Sequence, residues 1–174
     1  AKTDIPNLLI VIVPRHPQRF DQVAELLTQH GIRFQRRSDN LPVAPETQVV
    51  LGDSMGEMFA YYATCDIAFI GGSLLPLGGQ NLIEAAAMGK PMLIGPHTFN
   101  FAEVSELAVQ TGAAQRVANA EELVLTIRDL LKTPERMKAM SVAALTFADR
   151  HRGATERLMT LIDEVLSTEK CRLG

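Results

Sequence analysis

"DIAFIGGSLLPLGGQNLIEAAAMGKPMLIGPHTFNF", residues 66–101, reads as a strand, a glycine-rich loop, a short helix, a second strand and a second loop. Its apolar runs "DIAFIGG" (66–72) and "PMLIG" (91–95) are continuous rather than alternating, which suits parallel strands buried on both faces. A third such run, "LLIVIV" (8–13), opens the chain, and "IRFQR" (32–36), "TQVVL" (47–51) and "AAQRV" (113–117) are weaker strand candidates. Helical patterns lie between them at 17–30, 55–64, 82–89 and 101–111, the first with Phe20, Val23, Leu26 and Leu27 on one face. Strand and helix therefore alternate as in a βαβ sheet with right-handed crossovers. Three further helices follow at about 120–132, 134–149 and 154–169. The last carries Leu158, Leu161, Ile162, Val165 and Leu166 as one apolar stripe, while Met137 and Met140 read as helix-face core in the one before it. The expectation is an α/β fold: a Rossmann-like parallel sheet of about six strands, helices on both faces, and a helical C-terminal tail.

Composition narrows the function. At 174 residues and 47% hydrophobic, the chain reads as one domain with a core of its own. A net charge of −3, with both signs mixed along the sequence, argues against a nucleic-acid partner. Cys65 and Cys171 lie far apart and outside any CxxC, so they read as free thiols in a reducing cytosol. The longest apolar runs are strand-length, and neither a membrane span nor a signal peptide is expected. The chain begins at Ala1 and reaches a strand within eight residues, which suggests an excised domain.

In such a sheet, ligands bind beyond the carboxyl ends of the strands. The candidate loops are "PRHP" (14–17), "GDSMGE" (52–57), "GGSLLPLGGQN" (71–81) and "GPHTFN" (95–100). The first turn carries neither GxGxxG nor a P-loop. Arg15 and His16 follow the strand there, and Pro17 suits the first turn of a helix. They form either an ordinary polar turn or an arginine aimed at an anion. Ser54/Glu57, Asn81/Glu84, Asn100/Glu103 and Asn119/Glu122 all have the spacing of a capping box. On pattern alone, then, Asn81 and Glu84 read first as a helix cap. Against this, a cap needs no Gly71, Gly72, Gly78 and Gly79, whereas a phosphate or sugar pressed on backbone does. Gly52 and Gly56 support the same argument more weakly at the "GDSMGE" loop. His97 fits a turn or packing role, and no catalytic triad or metal-ligand spacing can be assembled.

Taken in order and at these separations, "PRHPQRF", "GDSMGEM", "GGSLLPLGGQNLIEAAA" and "GPHTFNF" resemble the carboxyl-terminal half of the Kdo (3-deoxy-D-manno-octulosonic acid) transferases of Gram-negative bacteria, from about Leu8 to Asn119. Many relatives carry histidine at the position of Gln80. The resemblance implies one half of a GT-B glycosyltransferase, with 1–174 the donor-binding domain, helical from about 120, and the amino-terminal acceptor domain absent. It implies CMP-Kdo as donor and a lipid A precursor as acceptor, in lipopolysaccharide biosynthesis. The catalytic carboxylate and any membrane anchor would lie in the other half. No catalytic residue, metal or cofactor is expected in this chain. The full-length enzyme would work at the cytoplasmic face of the inner membrane, and this fragment would be soluble. By position, CMP would be held by Pro14 and Arg15, by Met55, Gly56 and Glu57, and by Asn81, Leu82, Ile83 and Glu84, with His16, Gly72, Ser73 and His97 as further candidates. In this reading Arg15 neutralises phosphate, Glu84 accepts from ribose hydroxyls, and helix N-termini favour the anion. The alternatives are another GT-B enzyme or an epimerase using a UDP-sugar, or a non-catalytic nucleotide-binding module.

Overall fold

The computed structural model describes Ile5 and residues 7–151. Its contacts divide the chain into two compact units, Ala1–Thr64 and Cys65–Gly174.

The first unit runs β1 (Ile10–Ile12), a 3-10 turn (Pro17–Arg19), α1 (Phe20–Gln29), β2 (Phe34–Arg36), a second 3-10 turn (Arg37–Asp39), β3 (Val49–Leu51) and α2 (Met58–Thr64). β3 is central and pairs in parallel with both neighbours, Val49 standing opposite Ile10 on one side and Phe34 on the other. Burial follows that position rather than apolarity. All three residues of β3 are buried, although "TQVVL" looks the weaker strand. "LLIVIV" is expected to be buried on both faces, yet Ile10 and Val11 are 43% and 39% exposed. β1 lies at the edge of its ladder, where neighbouring chain covers less of it. On α1, Ala24 and Leu27 are buried and Leu26 is half exposed. Adjacent helical residues point about 100° apart, so the inward face passes through 20, 23, 24 and 27 and misses Leu26.

The second unit comprises β4 (Ala68–Phe69), α3 (Ile83–Ala87), β5 (Met92–Ile94), a 3-10 turn (Phe99–Phe101), α4 (Ala102–Gln110), β6 (Ala114–Arg116), α5 (Ala120–Lys132) and α6 (Pro134–His151). β5 is central and fully buried, with parallel partners β4 and β6. Leu93 meets Leu130 of α5 and Met140 of α6, and Ile67, Phe69, Leu123, Ile127 and Met137 pack around them. α6 also packs along α3. There Ala85, Ala86 and Ala144 are fully buried, and Ser141 Oγ donates to the Gly89 carbonyl at 2.6 Å.

All six expected strands form and all are parallel, in two ladders of three rather than one of six. The helices at 120–132 and 134–151 carry the described chain to its end. The expected helix at 154–169, with its stripe from Leu158 to Leu166, and Cys171 fall outside the described residues. Among those residues, no helix is long and apolar enough to cross a membrane.

Candidate functional site

In the first unit, Arg15 is exposed and Pro14 half-buried just beyond β1. His16 is extended and exposed, its carbonyl accepting the Arg19 N–H at 2.9 Å, and Pro17 occupies the first position of the 3-10 turn as expected. The "GDSMGE" loop leaves β3 with the Gly52 N–H donating to the Ile12 carbonyl at 2.8 Å. A Cβ on Gly52 would sit 2.9 Å from the end of the Tyr61 ring, which would have to shift to admit it.

Two carboxylates in this loop are held differently. The Asp53 side chain is 4% exposed, accepts from Ser38 N–H at 2.9 Å and Ser38 Oγ at 2.6 Å, and lies 3.5 Å from Arg36, which also binds Asp21 at 2.7 Å. Burial pushes its carboxyl up, but the Ser38 hydrogen bonds and Arg36 outweigh that and hold it below the usual carboxylate range. Glu57 Oε1 accepts from Arg37 at 3.0 Å, and Oε2 accepts from Ser54 Oγ, which also meets Tyr61 OH at 2.9 Å. The Ser54 hydrogen bond foremost, aided by Arg37, holds the Glu57 carboxyl low. Between them Met55 is 64% exposed, and Gly56, at φ +79°, stands in open space. A groove of about 320 Å³ beside β2, lined by Arg37, Leu41 and Val43 among others, touches none of the expected contact residues.

In the second unit, the Gly79 N–H donates to the Gly72 carbonyl and the Gln80 N–H to the Gly71 carbonyl, at 3.0 and 3.1 Å. These bonds close residues 73–78 into a loop. Gly72, Gly78 and Gly79 have φ of +73°, +88° and +76°, where L side chains are strained. A Cβ on Gly78 would also overlap the Asn100 carboxamide. Three of the four glycines therefore have a role in the loop's own backbone, a reason the contrast between cap and ligand did not include. Gly71 is the exception: its φ is not positive, and nothing lies within 4 Å of where its Cβ would be.

Of the four expected capping boxes, a single N-cap bond forms, and the returning carboxylate of Glu122 takes the Ala118 N–H at 2.7 Å rather than the capping residue's own. Asn119 caps α5, accepting from the Glu122 N–H at 2.9 Å. Asn100 instead clips the glycine loop, donating to the Leu77 carbonyl at 3.3 Å. Ser54 binds the Glu57 side chain rather than a helix terminus. α3 begins at Ile83, with Leu82 in the capping position and no side-chain cap, because Asn81 Oδ1 takes the Ile83 N–H at 3.0 Å in a local turn. Glu84 is thus not paired with Asn81. Half-buried in the first turn of α3, it makes no hydrogen bond or ion pair among the described residues. With seven residues in α2 and five in α3, the helix-terminus field expected to favour an anion is small.

Other expected contacts prove to be scaffold. Leu82 is only 1% exposed, backbone included, so it packs under the site rather than facing a ligand, whereas Ile83 is half-buried. Ser73 is fully buried, its hydroxyl donating to the Ile70 carbonyl at 2.5 Å and accepting the Gly95 N–H at 2.8 Å. The His97 N–H donates to the Ser73 carbonyl at 2.9 Å, tying the two loops together through the backbone. Arg116, given no role by the sequence, donates to the Gly95 carbonyl at 2.8 Å and Thr98 Oγ1 at 3.3 Å. Arg36, Arg37 and Arg116 were all missed. The available signal was a basic residue at the carboxyl end of a strand, beside the ligand loops.

Residues 6–146 match the family model for glycosyl transferases group 1. The chain is 45% identical over 162 residues to a 3-deoxy-D-manno-octulosonic acid transferase of Bordetella pertussis, covering 92% of this chain and 38% of that protein. It is 41% identical over 162 residues to the corresponding transferase of Haemophilus influenzae, with the same coverage. The chain thus spans well under half the length of these relatives. Among solved structures, it resembles the C-terminal CMP-Kdo binding domain of WaaA from Acinetobacter baumannii, with a TM-score of 0.77 and 34% identity over 80% of this chain and 73% of that one.

Proposed function

This chain belongs to the group 1 glycosyl transferases, and we propose that it holds the donor in a transferase moving Kdo from CMP-Kdo to a lipid A precursor in lipopolysaccharide biosynthesis. The observation that carries the proposal is the likeness to a solved CMP-Kdo binding domain at 34% identity across most of both chains. The residues supply fitting chemistry. Arg15, exposed between Pro14 and Pro17, offers phosphate a planar fork of donors. Glu84, a carboxylate without a partner among the described residues, suits the ribose hydroxyls. Met55, Gly56, Glu57, Asn81 and Ile83 complete the proposed nucleotide contacts, with Leu82 packed beneath them, and bare Gly71 admits ligand against the chain.

The reaction breaks the bond between the Kdo anomeric carbon and the phosphate oxygen. It forms a bond from that carbon to an acceptor hydroxyl oxygen, whose proton passes to a base. CMP leaves with added negative charge, so a cation placed for the donor phosphate stabilises the departing group as well. We assign the base and the acceptor site to the longer protein, and no catalytic residue to this chain. Because the donor is water-soluble and the acceptor a lipid, the proposed place of action of the longer protein is the cytoplasmic face of the inner membrane.

Amide NMR of the 174-residue chain, titrated with CMP, UMP and cytidine, tests the reading. CMP should bind and shift the amides of Arg15, His16, residues 55–57 and the non-proline residues of 71–84, and the chain alone should transfer no sugar. A phosphate contact of roughly 1.5–3 kcal/mol predicts that Arg15→Ala weakens CMP about 10- to 150-fold and leaves cytidine unchanged. UMP binding as tightly as CMP would overturn the CMP-sugar reading in favour of a UDP-sugar.

A further inference from the structure

We infer that Arg37 is a positioning residue for nucleotide binding, fixing the Glu57 carboxylate where a bound nucleotide meets it. The inference rests on the reading of Glu57 as a CMP contact. Both Glu57 oxygens are engaged inside the chain, Oε1 by Arg37 at 3.0 Å and Oε2 by Ser54 Oγ. A carboxylate has about four lone-pair sites, so each oxygen keeps capacity for a further donor.

Each clamp is itself anchored. Arg37 Nη1 donates to Asn40 Oδ1 at 2.5 Å, and Asn40 ends the 3-10 turn in the left-handed conformation at φ 53°. The guanidinium is therefore held at two points, a geometry that its planar fork permits and a lysine ammonium does not. On the other side, Ser54 is braced by Tyr61 OH at 2.9 Å, and the Tyr61 ring lies against Gly52. Glu57 thus stands clamped beside the most exposed part of its loop, Met55 and Gly56. Clamping removes the rotamer freedom that a ligand would otherwise have to freeze.

Fold stability is a poor explanation for the arrangement. The Arg37 and Glu57 side chains are 41% and 34% exposed, and an ion pair in that setting contributes little to folding. Preorganisation for binding needs no such burial.

The test is a double-mutant cycle on the 174-residue chain, read by CMP titration and checked for folding by amide spectra. Arg37→Gln should weaken CMP about 3- to 10-fold, and Arg37→Lys should recover only part of the loss. In a Glu57→Gln background, Arg37→Gln should have no further effect beyond about 2-fold. In the ligand-free chain, Arg37→Gln should move the Glu57 side-chain carboxyl titration, followed by carbon NMR, toward the ordinary carboxylate range. Unchanged CMP affinity in Arg37→Gln overturns the inference. So does a loss that persists undiminished in the Glu57→Gln background, since Arg37 would then touch the nucleotide itself. Failure of the unmutated chain to bind CMP is a different result: it removes the donor reading and the inference together.

Discussion

Ser73→Ala separates a ligand contact from a scaffold residue. The Ser73 hydroxyl is fully buried and makes two hydrogen bonds, to the Ile70 carbonyl at 2.5 Å and from the Gly95 N–H at 2.8 Å. Removing it leaves a buried N–H without that partner, at about 1–3 kcal/mol, and takes one donor from a carbonyl, at roughly 1 kcal/mol more. The expected loss is therefore about 2–4 kcal/mol, a large fraction of a typical 5–15 kcal/mol total. With a urea slope of about 2 kcal/mol per molar, the unfolding midpoint should fall by about 1–2 M. Gly95 runs so close to this loop that even a Cβ there would overlap the Ser73 carbonyl. Urea unfolding by circular dichroism gives the midpoint, and CMP titration in dilute buffer gives the affinity of the folded chain. CMP should bind Ser73→Ala within about 2-fold of the unmutated chain, since the hydroxyl has no exposed surface to offer. An unchanged midpoint together with about a 10-fold loss of CMP affinity would show that Ser73 faces the ligand, and the scaffold assignment would fall.

Glu84→Gln should leave the unfolding free energy from urea titration within about 0.5 kcal/mol, since no cap or ion pair is lost, while weakening CMP and leaving 2′,3′-dideoxy-CMP unaffected. Equal losses for both ligands would contradict a ribose contact. Gly71→Ala should fold normally and impair CMP binding, whereas Gly78→Ala should destabilise by at least about 1–2 kcal/mol through its φ of +88° and the overlap with Asn100; thermal unfolding distinguishes them. Asp53 supplies a pH test. Its folded carboxyl lies below the unfolded value of about 3.9, so its contribution is complete above that pH and fades as pH falls through the folded value. Asp53→Asn should therefore cost about 2 kcal/mol or more at pH 7 and progressively less below about pH 4. A pH-independent difference in urea midpoint between the two chains would refute it.

The sequence by itself determined the elements. Six strands and six of the seven helices expected from apolar runs and helical spacing stand where they were read, and the seventh lies outside the described residues. Local periodicity depends on near neighbours in the chain, so one sequence is enough to read it. The loops that carry the proposed function were legible for a similar reason, since they follow strand ends in an α/β order. Tertiary structure decided what was central and what was free. β3 is buried and β1 exposed because of their places in the ladder, which composition does not encode. Four identical spacings looked like four capping boxes, yet of these only Asn119 caps its helix, because Asn100 found the Leu77 carbonyl, Ser54 the side chains of Glu57 and Tyr61, and Asn81 the Ile83 N–H. Ser73 looked like a contact and is interior, while Arg37, to which the sequence assigned no role, grips Glu57 twenty residues away. Which hydrogen bond a side chain makes depends on the donors and acceptors that distant segments bring within about 3 Å, and only the folded chain supplies that distance.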